Sequence, residues 1–504
     1  MPSAEKTGDC RAGDPAKAGR NRRKKAGRNE TAGGNRNGRA FRCVKEDFMT
    51  LTDTIAAVST PRGKGGVALI RVSGTDARAV LSRVFRPHGK APVENPRRMC
   101  FGEILGAGNE VIDEGLCCFF PAPASFTGED VAEISCHGGV LLTETVLSAV
   151  LTAGARMAGP GEFTRRALLN GKTDLPRAEA LGALLDAGTA AQMALARGGM
   201  AGNLSRAAEA IHARLGEILS DVYAKIDFPD EDLATMDRPA LTDAFEELRA
   251  RLSALSDTFR TGRAVMEGIE TVIAGPVNAG KSTLFNALVG RDAAIVTACA
   301  GTTRDLLSET VALSQVTLRL TDSAGLRDCE DPVEKIGVAR ARTALSEAEL
   351  VLAVVDGSHE PDGETRRFLA SLRELPGKVI LLLNKADRGR AVPDELLSDF
   401  PQVLPISAAS GDLSELRALI GRLFASGELD LSHDPVVANA RQHAALTRAK
   451  EALDETVAAL RDGVPLDAAV TGGEAALSAL CELSGQAVSE EIVAGIFAHF
   501  CVGK

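Results

Sequence analysis

The chain has 504 residues, 45% of them hydrophobic, with a formal net charge of −10. That length suits roughly two to four domains, and the absence of any run of about eighteen uninterrupted apolar residues excludes a membrane-spanning helix. Ten cysteines without Cys-x-x-Cys spacing argue against a thiolate metal site and for small buried side chains in a reducing, cytoplasmic compartment. Residues 1–48 hold thirteen Lys/Arg against six Asp/Glu, a net of +7, which leaves −17 for the remainder. This stretch is rich in Gly, Asn and Arg, has no apolar periodicity and is expected to be disordered. It lacks the apolar region of a signal peptide and holds too many acids for a transit peptide. Two readings stand: translation that begins at Met49, and a basic arm that touches RNA.

Residues 52–171 read as a mixed α/β unit. Thr54–Val58, Gly66–Val72, Gly115–Phe120 and Ala132–Ser135 have strand patterns, and Leu141–Ala153 a helical one. Arg71, the segment Ser125–Glu133 and the segment Gly159–Lys172 carry its polar motifs, which on spacing alone are loops and caps. His137 reads as a turn or packing histidine. From about Asp174 to Met266 the pattern turns helical, through Ala178–Ile211, Ile218–Lys225 and Leu241–Thr258, with an interruption at Pro229–Asp232.

A short β-branched run, Thr271–Gly275, then leads into Gly275-Pro-Val-Asn-Ala-Gly280-Lys281-Ser282. Gly, four residues, then Gly-Lys-Ser is the phosphate-binding loop. Its backbone amides turn inward around the phosphates, Lys281 reaches the β and γ groups and Ser282 ligates Mg²⁺. The helix opening at Thr283 points its dipole at the same anion. By itself this loop serves ATP as well as GTP. Gly301-Thr302-Thr303-Arg304-Asp305 follows in a switch position, where Thr303 completes the Mg²⁺ shell. A strand then ends in Asp322-Ser323-Ala324-Gly325, whose aspartate holds the metal's water and whose glycine amide senses the γ-phosphate. Val379–Asn384 is a buried strand that runs into Asn384-Lys385-Ala386-Asp387. The Asp387 carboxylate accepts the two N–H donors that guanine offers and adenine does not. Ser407, Ala408 and Ala409 close over the base. These elements in this order point to GTP.

The expected contacts are therefore Asn278, Ala279, Gly280, Lys281, Ser282 and Thr283 in the phosphate loop, then Thr297, Ala298, Cys299, Ala300, Gly301, Thr302 and Thr303 in the switch loop. Asp322, Ser323, Ala324, Gly325, Asn384, Lys385, Ala386, Asp387, Ser407, Ala408 and Ala409 complete the set. Strands such as Leu350–Asp356 alternate with helical patterns at Val333–Leu345 and Leu413–Phe424, which predicts a mostly parallel sheet covered on both faces. The place of a water-orienting glutamine is taken by Leu326, which has no hydrogen-bonding group, and Arg304 and Arg327 lie nearby. Glu334 opens the next helix. It is either an N-terminal carboxylate favoured by the dipole or the group that orients water alongside Lys281. A monovalent cation, K⁺, held by Asn278, Thr297, Cys299 and Thr302, would supply the missing positive charge. Helical patterns return at Ala438–Arg461 and Gly473–Phe500, and the chain ends Cys501-Val-Gly-Lys504.

Pro61-Arg-Gly-Lys-Gly-Gly-Val, Phe126-Thr-Gly-Glu-Asp-Val, Pro160-Gly-Glu-Phe-Thr-Arg-Arg-Ala, Asp227-Phe-Pro-Asp-Glu, Asn278-Ala-Gly-Lys-Ser, Gly301-Thr-Thr-Arg-Asp and the terminal Cys-x-Gly-Lys together resemble the MnmE (TrmE) family of tRNA modification GTPases. The resemblance runs from about Asp53 to Lys504. Val277 stands where the family usually has proline, and Ser323 where it has threonine. The resemblance implies a multidomain α/β plus α protein: a P-loop GTPase domain (268–427) inserted in a discontinuous helical bundle (172–267 and 428–504), after an N-terminal α/β folate-binding and dimerisation domain (49–171). It also implies a homodimer that binds 5-formyl-tetrahydrofolate through positions matching Arg71, Glu133, Lys172 and Lys504. A heterotetramer with an FAD- and NADH-dependent MnmG-type subunit would act on C5 of the wobble uridine of tRNA. In this setting Glu334 becomes the water-orienting residue, while Cys501 stays open between a reactive thiol and a packed small residue. The alternatives are a ribosome-assembly GTPase and a GTP-timed scaffold without one-carbon chemistry.

Overall fold

The computed structural model describes residues 53–230, 235–292, 308–313, 316–321, 345–375, 377–424, 429–498, 500 and 502–503. The 1–48 stretch, the switch-loop residues Thr297–Thr303, the segment Asp322–Gly325, Glu334, Cys501 and Lys504 all lie outside them. Near the N-terminus the chain forms β1 (Ile55–Val58), β2 (Val67–Ser73), α1 (Ala77–Val84), β3 (Phe85–Pro87), β4 (Cys100–Leu105), β5 (Val111–Phe120), β6 (Val131–His137), α2 (Val140–Thr152), β7 (Arg156–Met157) and α3 (Glu162–Leu169). The strands make a seven-stranded sheet in the order β3-β4-β5-β6-β2-β1-β7, antiparallel except where β1 meets β7. Alternation decides its faces. Ala68, Ile70 and Val72 of β2 join Ala132, Ile134 and Cys136 of β6 in a core shared with α1 and α2. Arg71 and Glu133 sit directly opposite each other on the other face.

The helical segment that reads continuously from Ala178 to Ile211 is broken twice. It forms α4 (Leu175–Asp186), α5 (Ala190–Met200) and the start of α6 (Asn203–Asp227). The first break has a chemical cause: Thr189 and Gln192 form a capping box, which satisfies the free amides of a new helix. Next come α7 (Arg238–Asp257) and α8 (Phe259–Met266), and, after the nucleotide-binding segment, a helical return described below.

The inserted segment supplies β8 (Ile269–Ala274), α9 (Lys281–Asp292), β9 (Ser308–Leu313), β10 (Val316–Thr321), β11 (Leu350–Asp356), α10 (Gly363–Leu372), β12 (Lys378–Asn384), β13 (Val403–Pro405) and α11 (Ser414–Phe424). Its six-stranded sheet runs β13-β12-β11-β8-β10-β9, parallel except for β9. β11 is buried on both faces. Leu350, Leu352 and Val354 enter one apolar core, and Val351, Ala353 and Val355 another. This is the continuous apolar run that a parallel strand between two helix layers requires.

The chain then forms α12 (Ala440–Arg461), α13 (Leu466–Ala469), α14 (Thr471–Ser484) and α15 (Glu490–Ala498). The pattern expected to run on from Gly473 to Phe500 thus divides near Gly485. Leu215 and Leu219 of α6, Phe245 and Leu252 of α7, Leu446 and Leu453 of α12 and Leu480 of α14 share one core. Helices on both sides of the insertion therefore make a single bundle, each contributing an apolar stripe at three- and four-residue spacing.

Phe245 is fully buried at the centre of this bundle. Phe245→Ala should cost about 3–5 kcal/mol through the cavity left behind. Chemical denaturation followed by circular dichroism checks this through the midpoint of the helical transition.

Candidate nucleotide and small-molecule sites

In the parallel sheet, the loops that follow β8, β11, β12 and β13 gather at one edge, the carboxyl ends of the strands, where doubly wound sheets bind ligands. Two glycines permit the crowding. A side chain on Gly275 would strike the Val354 carbonyl of β11, and one on Gly280 would strike the amide nitrogen of Asn384. Between them Asn278 adopts a left-handed conformation, φ 61°, uncommon for a residue with a side chain.

Asn384 is buried, and its side chain holds two loops. The Nδ2 donates to the Ala279 carbonyl at 2.8 Å, and the Oδ1 accepts from the Ala408 amide at 2.9 Å. The Ala386 amide donates to the Ile406 carbonyl at 3.0 Å, which ties the Asn384–Asp387 loop directly to the segment that carries Ala408. Asp387 is exposed, and its Oδ1 accepts from the Ser407 hydroxyl at 2.6 Å. That bond holds the carboxyl below its ordinary range. The carboxylate expected to read guanine is thereby oriented by the Ser407 loop. Lys281 stands at the start of α9, its Nζ 2.8 Å from both the Gly275 and Pro276 carbonyls. Ser282 and Thr283 are on the first turn of the same helix.

Asp356, at the end of β11, belongs to this edge although no motif marks it. Its Oδ2 lies 2.6 Å from Lys385 Nζ, which also donates to the Asn278 carbonyl at 3.2 Å. Burial works against the charge on Asp356, but the bonds from Lys385 and Ser358 outweigh it and hold the carboxyl well below the usual range. The only hint in the sequence is a carboxylate closing an otherwise apolar strand. Of the expected nucleotide set, the structure brings together Asn278–Thr283, Asn384–Asp387 and Ser407–Ala409. The remaining expected contacts, among them Thr303, expected to ligate Mg²⁺, and Thr297, Cys299 and Thr302, expected to ligate K⁺, lie outside the described residues.

A second site forms on the N-terminal sheet. Arg71 donates from Nε and Nη2 to Glu133 Oε1, at 2.9 and 2.7 Å. Its guanidinium is 5.4 Å from the ring centre of Phe126 and 5.8 Å from that of Phe163. The end of the chain reaches this pair. Val502 bridges Pro160, and the Gly503 carbonyl accepts from Ser59 Oγ at 3.0 Å and from Arg71 Nη1 at 3.5 Å. Lys172 is exposed, and its Nζ reaches the Pro123 carbonyl at 3.0 Å, on the loop that also carries Phe126. Arg71, Glu133 and the residue before Lys504 are therefore neighbours. Since Glu133 already balances Arg71, the pair offers a mixed donor and acceptor edge, not a free cation for a carboxylate.

Sequence reasoning missed the support under this site. Arg166 is almost fully buried, and its guanidinium meets Asp53 Oδ1 at 2.7 Å, Glu162 Oε1 at 3.0 Å and Glu129 at 3.2 Å. Glu129 in turn accepts from Ser73 Oγ at 2.7 Å. Pairing of a buried charge with several carboxylates offsets its desolvation, and here it anchors, through Glu129, the loop that carries Phe126. Cys118 lies opposite Glu133, and burial pushes its thiol up, with the Glu133 charge adding to the effect. Cys136, also buried, is pushed up to about 11. Neither is a poised thiolate. His137 is exposed and bound to Asp113 at 2.9 Å. Among the described residues no cluster of three or more His, Cys, Asp or Glu is placed to hold a metal, and no helix is long and apolar enough to cross a membrane.

Comparison with known proteins agrees across both regions. Residues 54–172 match the family described as GTP-binding protein TrmE N-terminus, and residues 175–501 the MnmE helical domain. The tRNA modification GTPase MnmE of Geobacter sulfurreducens is 41% identical over 462 residues, 90% of this chain and 100% of the relative. Its counterpart in Symbiobacterium thermophilum is 40% identical over 458 residues, 90% of this chain and 99% of its own. That of Lactobacillus helveticus is 37% identical over 460 residues, with coverage of 90% and 99%.

Asp387→Asn turns a carboxylate acceptor into a group that also donates, so GTP affinity should fall about 100-fold or more while xanthosine triphosphate binding appears. Competition titrations with the two nucleotides check the exchange.

Proposed function

The chain belongs to the MnmE family of tRNA modification GTPases, and from that membership we propose that it helps install a carboxymethylaminomethyl or aminomethyl group on C5 of the wobble uridine. The carbon would come from 5-formyl-tetrahydrofolate or a related folate, and the redox chemistry from an FAD- and NADH-dependent MnmG-type subunit bound to a homodimer of this chain. The observation that carries the reading is the Arg71–Glu133 pair meeting the chain end at Gly503. A pterin offers adjacent donors and acceptors, and this edge offers the complement. Phe126 and Phe163 beside the guanidinium add apolar surface for a flat ring. Lys172 and Lys504 would take the cofactor's carboxylates. When bound, the folate supplies the one-carbon unit, and the residues of this chain bind and orient it.

The nucleotide half of the proposal follows from the loop edge. Lys281 would exchange the carbonyls of Gly275 and Pro276 for β and γ oxygens, a charge-assisted replacement that favours the triphosphate. Ser282, on the first turn of α9, fits Mg²⁺ by its hard oxygen, with Thr303 as the second protein ligand. Asn278, in the phosphate loop, offers a side-chain oxygen and fits K⁺ on the same ground, and Thr297, Cys299 and Thr302 would complete the set. When bound, that ion would offset charge that builds up on the phosphates. Glu334 would orient the attacking water in place of the residue that Leu326 does not provide.

Mass analysis of tRNA tests the activity. Cells lacking this protein should accumulate wobble uridine without its C5 substituent. Expression of the intact chain should restore the substituent, and an Arg71→Ala chain should leave it below about one tenth of that level, the effect of a lost charge-assisted bond on ligand affinity. Unaltered uridine in the deficient cells would overturn the reading. For hydrolysis, turnover should rise markedly when K⁺ replaces Na⁺. Glu334→Ala should lower turnover by about 10²-fold or more while GTP affinity stays unchanged. Equal rates in both salts, with an active Glu334→Ala enzyme, would refute the mechanism.

A further inference from the structure

The ion pair at the end of β11 does more than neutralise two charges. We propose that Asp356 is a positioning residue of the GTP site, fixing the Lys385 ammonium so that this lysine braces the phosphate loop from the Asn278 carbonyl.

The register of the sheet sets up the contact. β11 and β12 pair in parallel, with Asp356 opposite Asn384, so Lys385 is the first residue beyond the neighbouring strand. Both carboxylate oxygens of Asp356 are engaged. Oδ2 meets Lys385 Nζ at 2.6 Å, and Oδ1 accepts from the Ser358 amide at 3.0 Å and its hydroxyl at 2.6 Å. Asp356 therefore cannot rotate away without breaking three bonds. Its side chain is 27% exposed and that of Lys385 28%, so solvent screening is partial.

A lysine ammonium on its four-carbon stem is a mobile point charge with three donors. Held by Asp356, it spends one donor on the carboxylate and another on the Asn278 carbonyl. Both residues joined by this second bond have left-handed backbones, φ 62° at Lys385 and φ 61° at Asn278. A side-chain residue keeps such a conformation where its surroundings over-determine it. At Asn278 part of that determination comes from the Lys385 bond. Asp356 thus reaches the phosphate loop through Lys385.

Asp356→Asn retains the shape and the Ser358 bonds but removes the charge. Release of a fluorescent GDP analogue from the full-length protein should quicken by about tenfold, the scale of one bond to a charged group. Preference for GTP over ATP should be preserved, because Asp387 is untouched. Acting through Lys385 also predicts a thermodynamic signature: Lys385→Ala should quicken release too, and Asp356→Asn should add less than about twofold in that background. A second readout rests on the K⁺ proposal above. If Asn278 ligates K⁺, Asp356→Asn should raise the half-activating K⁺ concentration by about threefold or more. A wild-type enzyme indifferent to K⁺ would defeat that earlier reading and leave the release experiment decisive for this one. Should Asp356→Asn not fold, Ser358→Ala loosens the carboxylate without removing its charge and should quicken release by at least about twofold. Release within twofold of wild type in a folded Asp356→Asn protein, full additivity with Lys385→Ala, or unchanged release in the Ser358→Ala fallback would overturn the proposal.

Discussion

The nucleotide edge depends on the side chain of one buried residue, Asn384. A primary amide has donors on one atom and an acceptor on another, and Asn384 uses both: Nδ2 on the Ala279 carbonyl, Oδ1 on the Ala408 amide. The phosphate loop and the base loop come from opposite ends of this segment of the chain, and this amide sets their spacing. An aspartate would repel the Ala279 carbonyl, and a leucine would leave both backbone groups unpaired, at a cost of about 1–3 kcal/mol each. The absence of a side chain at Gly280 follows from the same arrangement, because Nδ2 occupies the space.

The N-terminal site is organised by a different means. There, Arg166 gathers Asp53, Glu129 and Glu162 from three separate stretches of chain. Such a cluster is a weak source of net stability, since desolvation consumes much of the attraction, but breaking it is expensive because charge remains buried. The consequence is geometric. Glu129 ties to Ser73, Ser73 to Thr127, and the loop between Ser125 and Asp130 is fixed where Phe126 meets Arg71. The chain end then closes on the same guanidinium through Gly503.

The nucleotide-binding architecture was legible because its chemistry requires fixed residues at fixed spacing. Gly275, Lys281, Asn384 and Asp387 announce themselves in order, and the strands before them are apolar runs with no competing reading. The mixed sheet was legible in part: the patterns at β1, β2, β5 and β6 were read, whereas β4 (Cys100–Leu105), interrupted by Gly102 and Glu103, was not. β3 and β7 span Phe85–Pro87 and Arg156–Met157, too short for alternation to register, and their pairing is decided by partners distant in sequence. The breaks within Ala178–Ile211 went unread for another reason. Ala-rich periodicity continues across them, while the capping box at Thr189 and Gln192 acts over a few residues. Asp356 and Arg166 escaped because single charged residues acquire meaning from neighbours that only the fold supplies. Arg71 and Glu133 were assigned through resemblance, and their direct pairing, which leaves no free cation, is a property of the register between β2 and β6.

Helix α8 joins the two kinds of architecture. Arg263 holds Glu349, just before β11, with Nη1 2.8 Å from Oε1, and Arg260 donates to the Leu423 carbonyl at the end of α11. Thr317 Oγ1 of β10 donates to the Val265 carbonyl at 3.0 Å. On its other side, Gly262 packs against the Val437 carbonyl, and the Val437 amide donates to Thr258 Oγ1 at 3.0 Å. These ties grip the parallel sheet near the amino ends of β10 and β11, whereas the nucleotide loops lie at the carboxyl ends. A parallel strand is stiff along its length and its packed neighbours compress little. The sheet is therefore fastened to the bundle at one end and presents its ligand loops at the other. Rearrangement confined to those loops costs little packing, while rearrangement that reaches the bundle through α8 has these ties in its path.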